Sequence, residues 1–134
     1  MTRRSTTVSA LAAMGLLALC LTGCTSTTGC FPASLSVTPT TASAGGVVML
    51  SSPTAECPIG YATGHTYSVT LTNRGATGQP IIAAVARNGA FSIEVPIPAD
   101  FPHGTAYIIV TRSPYDNCED GASCAGYSVS LTVK

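Results

Sequence analysis

Thr66-Tyr67-Ser68-Val69-Thr70-Leu71-Thr72 decides the fold class. Tyr67, Val69 and Leu71 occupy every second position between hydroxyl side chains. Successive side chains of a strand point to opposite faces, so this run predicts a strand with one dry face and one wet face. The same pattern returns at the end of the chain, where Tyr127, Val129, Leu131 and Val133 alternate with Ser128, Ser130 and Thr132. Between and before these runs lie further short apolar stretches: Leu35 to Val37, Val47 to Leu50, Ile81 to Ala86, Phe91 to Val95 and Tyr107 to Val110. Gly, Pro, Asn and Asp separate them, which is the spacing of a sandwich or barrel. Seven strands are therefore expected, and helical periodicity is absent after residue 24.

Asn88-Gly89 sits between the fourth and fifth of these stretches, and such a pair favours the positive φ angles of a tight turn, so a hairpin is expected there. Pro96 and Pro98 end the fifth strand and guard it against edge pairing. Phe91, Ile93 and Val95 are expected to face the core, which turns Glu94 to solvent. Tyr107, near the start of the sixth strand, is read as core packing, with a tyrosine corner as its alternative.

The chain has 134 residues, with six Lys and Arg against six Asp and Glu. A composition so poor in charge and rich in small apolar residues is not that of a disordered chain, and its 13 Gly and 9 Pro fit a turn-rich domain. Arg3 and Arg4 are followed by an apolar stretch from Val8 to Leu21, about 14 residues, against the roughly 20 needed to span a bilayer as a helix. Residues 1–23 are thus read as a helical, removable export signal. Removing them leaves four basic and six acidic side chains, a net charge of −2, too acidic to track nucleic acid.

Leu21-Thr22-Gly23-Cys24 follows the apolar stretch directly. These residues resemble the lipobox of bacterial lipoproteins, which implies a diacylglyceryl thioether on Cys24 and cleavage on its N-terminal side. Two acyl chains, at about 0.8 kcal/mol per buried CH₂, anchor stably where one does not. Residues 24–29 then form a polar tether reaching at most about 20 Å, and residues 30–134 form the domain.

Over residues 30 to 134, stretches such as Asn88-Gly89-Ala90-Phe91-Ser92-Ile93-Glu94-Val95-Pro96, leading to Gly104-Thr105-Ala106-Tyr107-Ile108-Ile109-Val110, resemble the immunoglobulin-like domains of exported bacterial proteins. The resemblance implies an all-β, antiparallel, seven-stranded sandwich. It lacks the antibody signature, since there is no Trp and no cysteine lies within the second or sixth strand. A transthyretin-like sandwich shares the same pattern.

If Cys20 leaves with the signal and Cys24 carries lipid, four cysteines remain, enough for two disulfides in an oxidising compartment. In an immunoglobulin-like strand order Cys30, Cys57, Cys118 and Cys124 gather at one pole, where three pairings are open. Loop entropy assigns about 2.4 kcal/mol to Cys118 with Cys124 and about 4.3 kcal/mol to Cys57 with Cys118. The turn-forming Asp120-Gly121 tips the balance towards Cys118 with Cys124, leaving Cys30 with Cys57. The spacings do not match a zinc site.

Asp116, Glu119 and Asp120 make an acidic loop attractive to calcium, but an EF-type loop needs an oxygen ligand where Cys118 stands and Glu where Tyr127 stands. No metal site is expected from it. His65 and His103 fall in loops at opposite poles, too far apart to share a metal or act as a pair. No G-x-S-x-G, H-E-x-x-H or phosphate-cradling loop occurs. The expectation is a non-enzymatic, cofactor-free lipoprotein, anchored outside the cytoplasm through Cys24 and serving as an interaction module for an envelope protein or cell-wall partner. A small-ligand or metal carrier for calcium or copper, using the acidic loop and His65, and a purely structural envelope component are the alternatives.

Overall fold

The computed structural model describes residues 29–117 and 126–134. The proposed signal, Cys24 and the loop holding Cys118, Glu119, Asp120 and Cys124 lie outside the described residues. Within them the chain is all-β apart from one 3-10 turn at Pro114–Asp116. The strands are β1 (Ser36–Thr38), β2 (Thr41–Ala42), β3 (Val47–Ser52), β4 (Thr66–Thr72), β5 (Ile81–Ala84), β6 (Phe91–Pro96), β7 (Gly104–Thr111) and β8 (Ser128–Val133).

They form two sheets, one ordered β1-β3-β6 and the other β2-β8-β7-β4-β5. All pairs are antiparallel except β2 with β8. The core lies between the sheets. Val48 and Leu50 of β3 and Phe91 and Val95 of β6 meet Tyr67, Val69 and Leu71 of β4, Ile108 and Val110 of β7, and Leu131 and Val133 of β8. Tyr67, Leu50 and Ile108 are wholly buried, and each such side chain contributes about 1.5–3 kcal/mol by leaving water. The alternation in β4 and β8 is realised as read: the apolar positions point inward and the Ser and Thr positions outward.

Eight strands, not seven, are present among the described residues. The first expected strand continues into a second sheet. After the cis Thr38–Pro39 bond the chain leaves β3, and β2 pairs with β8 in the larger sheet. Pro39 has no N–H with which to extend the β1–β3 ladder. Backbone hydrogen bonds tie β2 to β8, Thr132 N–H donating to Thr40 O at 2.9 Å and Lys134 N–H to Ala42 O at 2.9 Å.

The expected Asn88-Gly89 hairpin is also corrected. The turn exists: Gly89 has φ of +86°, its N–H donates to Ala86 O at 2.9 Å, and Ala86 N–H donates to Ala90 O at 2.9 Å. The strands it joins do not pair with each other, because β5 pairs with β4 and β6 pairs with β3. The turn passes the chain from one sheet to the other.

Tyr107 neither packs in the core nor makes a tyrosine corner. It is half exposed, on the outer face of the larger sheet. The run Tyr107-Ile108-Ile109-Val110 is apolar throughout and leaves its phase open; Ala106, Ile108 and Val110 take the buried positions, which turns Tyr107 and Ile109 outward.

Candidate functional site

The sequence-predicted residues that fall within the described structure gather chiefly at one pole, where β3 and β7 end and β4 begins. Cys30 and Cys57 are joined there by a disulfide with Cα atoms 5.7 Å apart, which staples the segment before β1 to the loop after β3. The partner pair Cys118 and Cys124 lies outside the described residues.

Beneath the staple, aromatic rings pack in a chain. Phe31 meets Tyr115 at 4.8 Å between centroids, Tyr115 stacks on Tyr127 at 4.9 Å, and Tyr67 meets Tyr127, Tyr61 and Phe91 edge-on at 6.0, 5.9 and 5.2 Å. Edge-on and offset contacts of this kind add about 0.5–1.5 kcal/mol each beyond area burial.

The hydroxyls are also committed. The Tyr127 hydroxyl lies 2.6 Å from Ala33 O and 3.0 Å from Ser52 Oγ, while Ser52 Oγ donates to Ala33 O at 2.8 Å. The Tyr61 and Tyr67 hydroxyls are 2.8 Å apart. Burial pushes Tyr67 well above the ordinary phenol range, with the Tyr61 hydrogen bond adding to the effect. Burial likewise raises Tyr127 and Tyr61, opposed by the hydrogen bonds they share with Ser52 and Tyr67 respectively. These phenols stay protonated at neutral pH and act as packing and hydrogen-bonding groups rather than as bases.

His65 stacks on Tyr61 at 4.0 Å, and its Nε2 lies 3.1 Å from Arg112 O. Arg112 takes a positive φ of 69° and donates from Nη1 to Thr66 Oγ1 at 3.2 Å. Asp116 Oδ2 accepts the backbone N–H groups of Arg112 and Ser113, and Ser113 Oγ accepts that of Tyr115, a reciprocal cap on the 3-10 turn. Asp116 is therefore a capping residue. Glu119 and Asp120 lie outside the described residues, and among the described residues no three His, Cys, Asp or Glu side chains are grouped to hold a metal ion.

His103 is at the opposite pole, beside Asn73, Arg74, Thr105 and Tyr107. It precedes the start of β7, whereas His65 precedes the start of the antiparallel β4, so roughly 20 Å of strand separates them. Glu94 is exposed on β6, as its alternation requires.

A second region was not read as a site from the sequence, where Val69, Leu71 and Val95 of its lining were read as core positions. On one side of the molecule the chain itself bridges the two sheets, through the passage from β1 to β2. On the other side β5 and β6 are edges of different sheets, joined at one end by the Asn88-Gly89 turn. Between them opens an apolar cleft of about 200 Å³, walled by Val69, Leu71 and Ile81 on one side and Val95 and Ile97 on the other, with Pro96, Pro98 and Gln79 also in its lining. The closely spaced Pro96 and Pro98 were its one signal in the sequence, read there only as the end of a strand. Comparison with known proteins gives no match to any family model, curated protein or solved structure.

Proposed function

We propose that the chain is an exported lipoprotein, anchored outside the cytoplasm through a diacylglyceryl group on Cys24, whose immunoglobulin-like sandwich is an interaction module for an envelope protein or cell-wall partner. The observation that carries this reading is the Cys30–Cys57 disulfide, six residues beyond Cys24. A disulfide between a terminal segment and a loop persists in an oxidising compartment, the destination a lipobox specifies. The strand order β1-β3-β6 against β2-β8-β7-β4-β5, with the first strand divided between sheets, supports an immunoglobulin-like topology.

An interaction role is favoured over catalysis because His65, Asp116 and the buried tyrosine hydroxyls are already engaged in packing and capping. The same engagement weighs against a calcium or copper carrier at this pole. Isothermal titration with either ion that gives a saturable heat would restore that alternative.

The anchoring test is mass spectrometry of the protein purified from its own membrane, before and after reduction. Acylated Cys24 as the N-terminal residue, with a mass rise of four hydrogens on reduction, is the expected result. An unmodified Cys24, or free thiols at Cys118 and Cys124, would overturn the anchor or the second disulfide respectively.

A further inference from the structure

The pole opposite the disulfide holds a polar pocket of about 340 Å³, lined by Asn73, Arg74, His103, Thr105 and Tyr107. Its halves come from two separate connections, which Asn73 ties together. Asn73 Oδ1 accepts the backbone N–H groups of Gly75 and Ala76, both at 2.9 Å, and Asn73 Nδ2 donates to Pro102 O at 3.2 Å. The turn after β4 that carries Arg74 is thereby held against the segment before β7 that carries His103. The Arg74 guanidinium, the His103 ring and the Thr105 and Tyr107 hydroxyls make no hydrogen bond or ion pair among the described residues.

Tyr107 supplies the one large apolar surface of the pocket. It is 50% exposed on the outer face of the larger sheet, and its partners in register are Thr72 on β4 and Ser130 on β8. Short hydroxyl side chains on both flanks leave its ring uncovered. Strand addition is impossible here: β7 lies between β4 and β8, so its backbone groups are paired on both sides and a ligand is recognised through side chains alone.

Those side chains select the ligand. A guanidinium only donates, and its fork matches two oxygens of a carboxylate or phosphate. Asp100, the carboxylate nearest to His103 in the sequence, is not part of the lining, so no acidic side chain there competes for Arg74. One guanidinium is too little charge for a nucleic acid, whose binding rests on many phosphate contacts. An uncovered phenol ring among hydroxyls suits a molecule with one C–H face and a rim of hydroxyl groups. We propose that the pocket binds an acidic sugar residue of a glycan, its carboxylate or phosphate held by Arg74 and His103 and the C–H face of its ring laid on Tyr107. The Thr105 hydroxyl then bonds a hydroxyl of the sugar. At about 340 Å³ the pocket is at the small end of ligand sites, roughly 300–1,000 Å³, which suits one ring with its substituents.

This inference rests on the cell-wall side of the interaction-module reading and not on the lipid anchor. The full-length protein in detergent is titrated with an oligosaccharide containing uronic acid, its carboxyl-reduced counterpart, a phosphorylated oligosaccharide and inorganic phosphate, while the ring signals of Tyr107 and His103 are followed by NMR. Saturable shifts are expected with at least one of the two acidic sugars, the tighter of them identifying the acid. The carboxyl-reduced sugar and inorganic phosphate are expected to bind more weakly by about tenfold or more. Arg74→Gln and Tyr107→Ala change exposed side chains, so both variants keep the thermal transition and lose affinity for the acidic sugar by about tenfold or more. No saturable shift with either acidic sugar, equal binding of the acidic sugars and their uncharged or ring-free counterparts, or binding that survives both substitutions would overturn the proposal. None of these results bears on the mass of Cys24, and an unmodified Cys24 leaves the glycan test as it stands.

Discussion

Tyr127 closes a small buried circuit with Ser52 and the carbonyl of Ala33. Tyr127→Phe removes one member and leaves Ser52 still bonded to that carbonyl, so a loss of about 1 kcal/mol is expected in urea unfolding. Tyr67, Tyr127 and Tyr61 also link stability to pH. Their folded hydroxyls hold the proton above the ordinary value of about 10, so above that pH the native state binds more protons than the unfolded state. Their contribution is complete below about pH 10 and is lost as the pH rises through the folded values. Chemical denaturation followed from pH 7 to 11 is expected to show a plateau and then a fall, shallower in Tyr67→Phe.

Neighbours on one strand separate just as sharply. Ile108→Ala is expected to cost about 2–5 kcal/mol and Ile109→Thr less than about 0.5 kcal/mol, because Ile108 is fully buried and Ile109 is turned to solvent. The alternation in Thr66–Thr72 announced its own phase, whereas the four apolar residues from Tyr107 did not. That is why the outward position of Tyr107 was not legible until the register with Thr72 and Ser130 was known.

Among the elements, β4 and β8 were legible because a half-buried strand writes its two faces into its sequence. β2 was not, since Thr41–Ala42 joins its sheet through backbone groups and shows no run of large apolar residues. The Asn88-Gly89 turn marks the limit of local chemistry. The dipeptide specified a reversal, but the choice of neighbour rested with the ladders to β3 and β4. Gly89→Ala tests the turn itself. An added methyl has room, 3.6 Å from Ala55 Cβ, but φ at +86° costs an L-residue about 1–2 kcal/mol, and a drop of that size in the unfolding free energy is expected. The cleft was illegible for a related reason: its two walls come from different sheets, and Pro96 and Pro98 mark the end of a strand without marking the gap beside it.

For the whole molecule, the sequence carried the two-layered apolar core and the Cys30–Cys57 staple, while the division of the first strand and the open side came from tertiary pairing. Removal of residues 127–134 takes away β8, the strand between β2 and β7, together with Tyr127, Leu131 and Val133 of the core. No cooperative thermal transition is expected of that truncated chain by calorimetry.

The parallel pairing of Thr41 with Thr132 and Ala42 with Val133 also imposes an order in time. A chain emerging from the ribosome presents β2 early, and β2 has no strand to pair with until the segment around Val133 has followed. The larger sheet is therefore completed only after the last strand has emerged, so a partly made chain cannot close it.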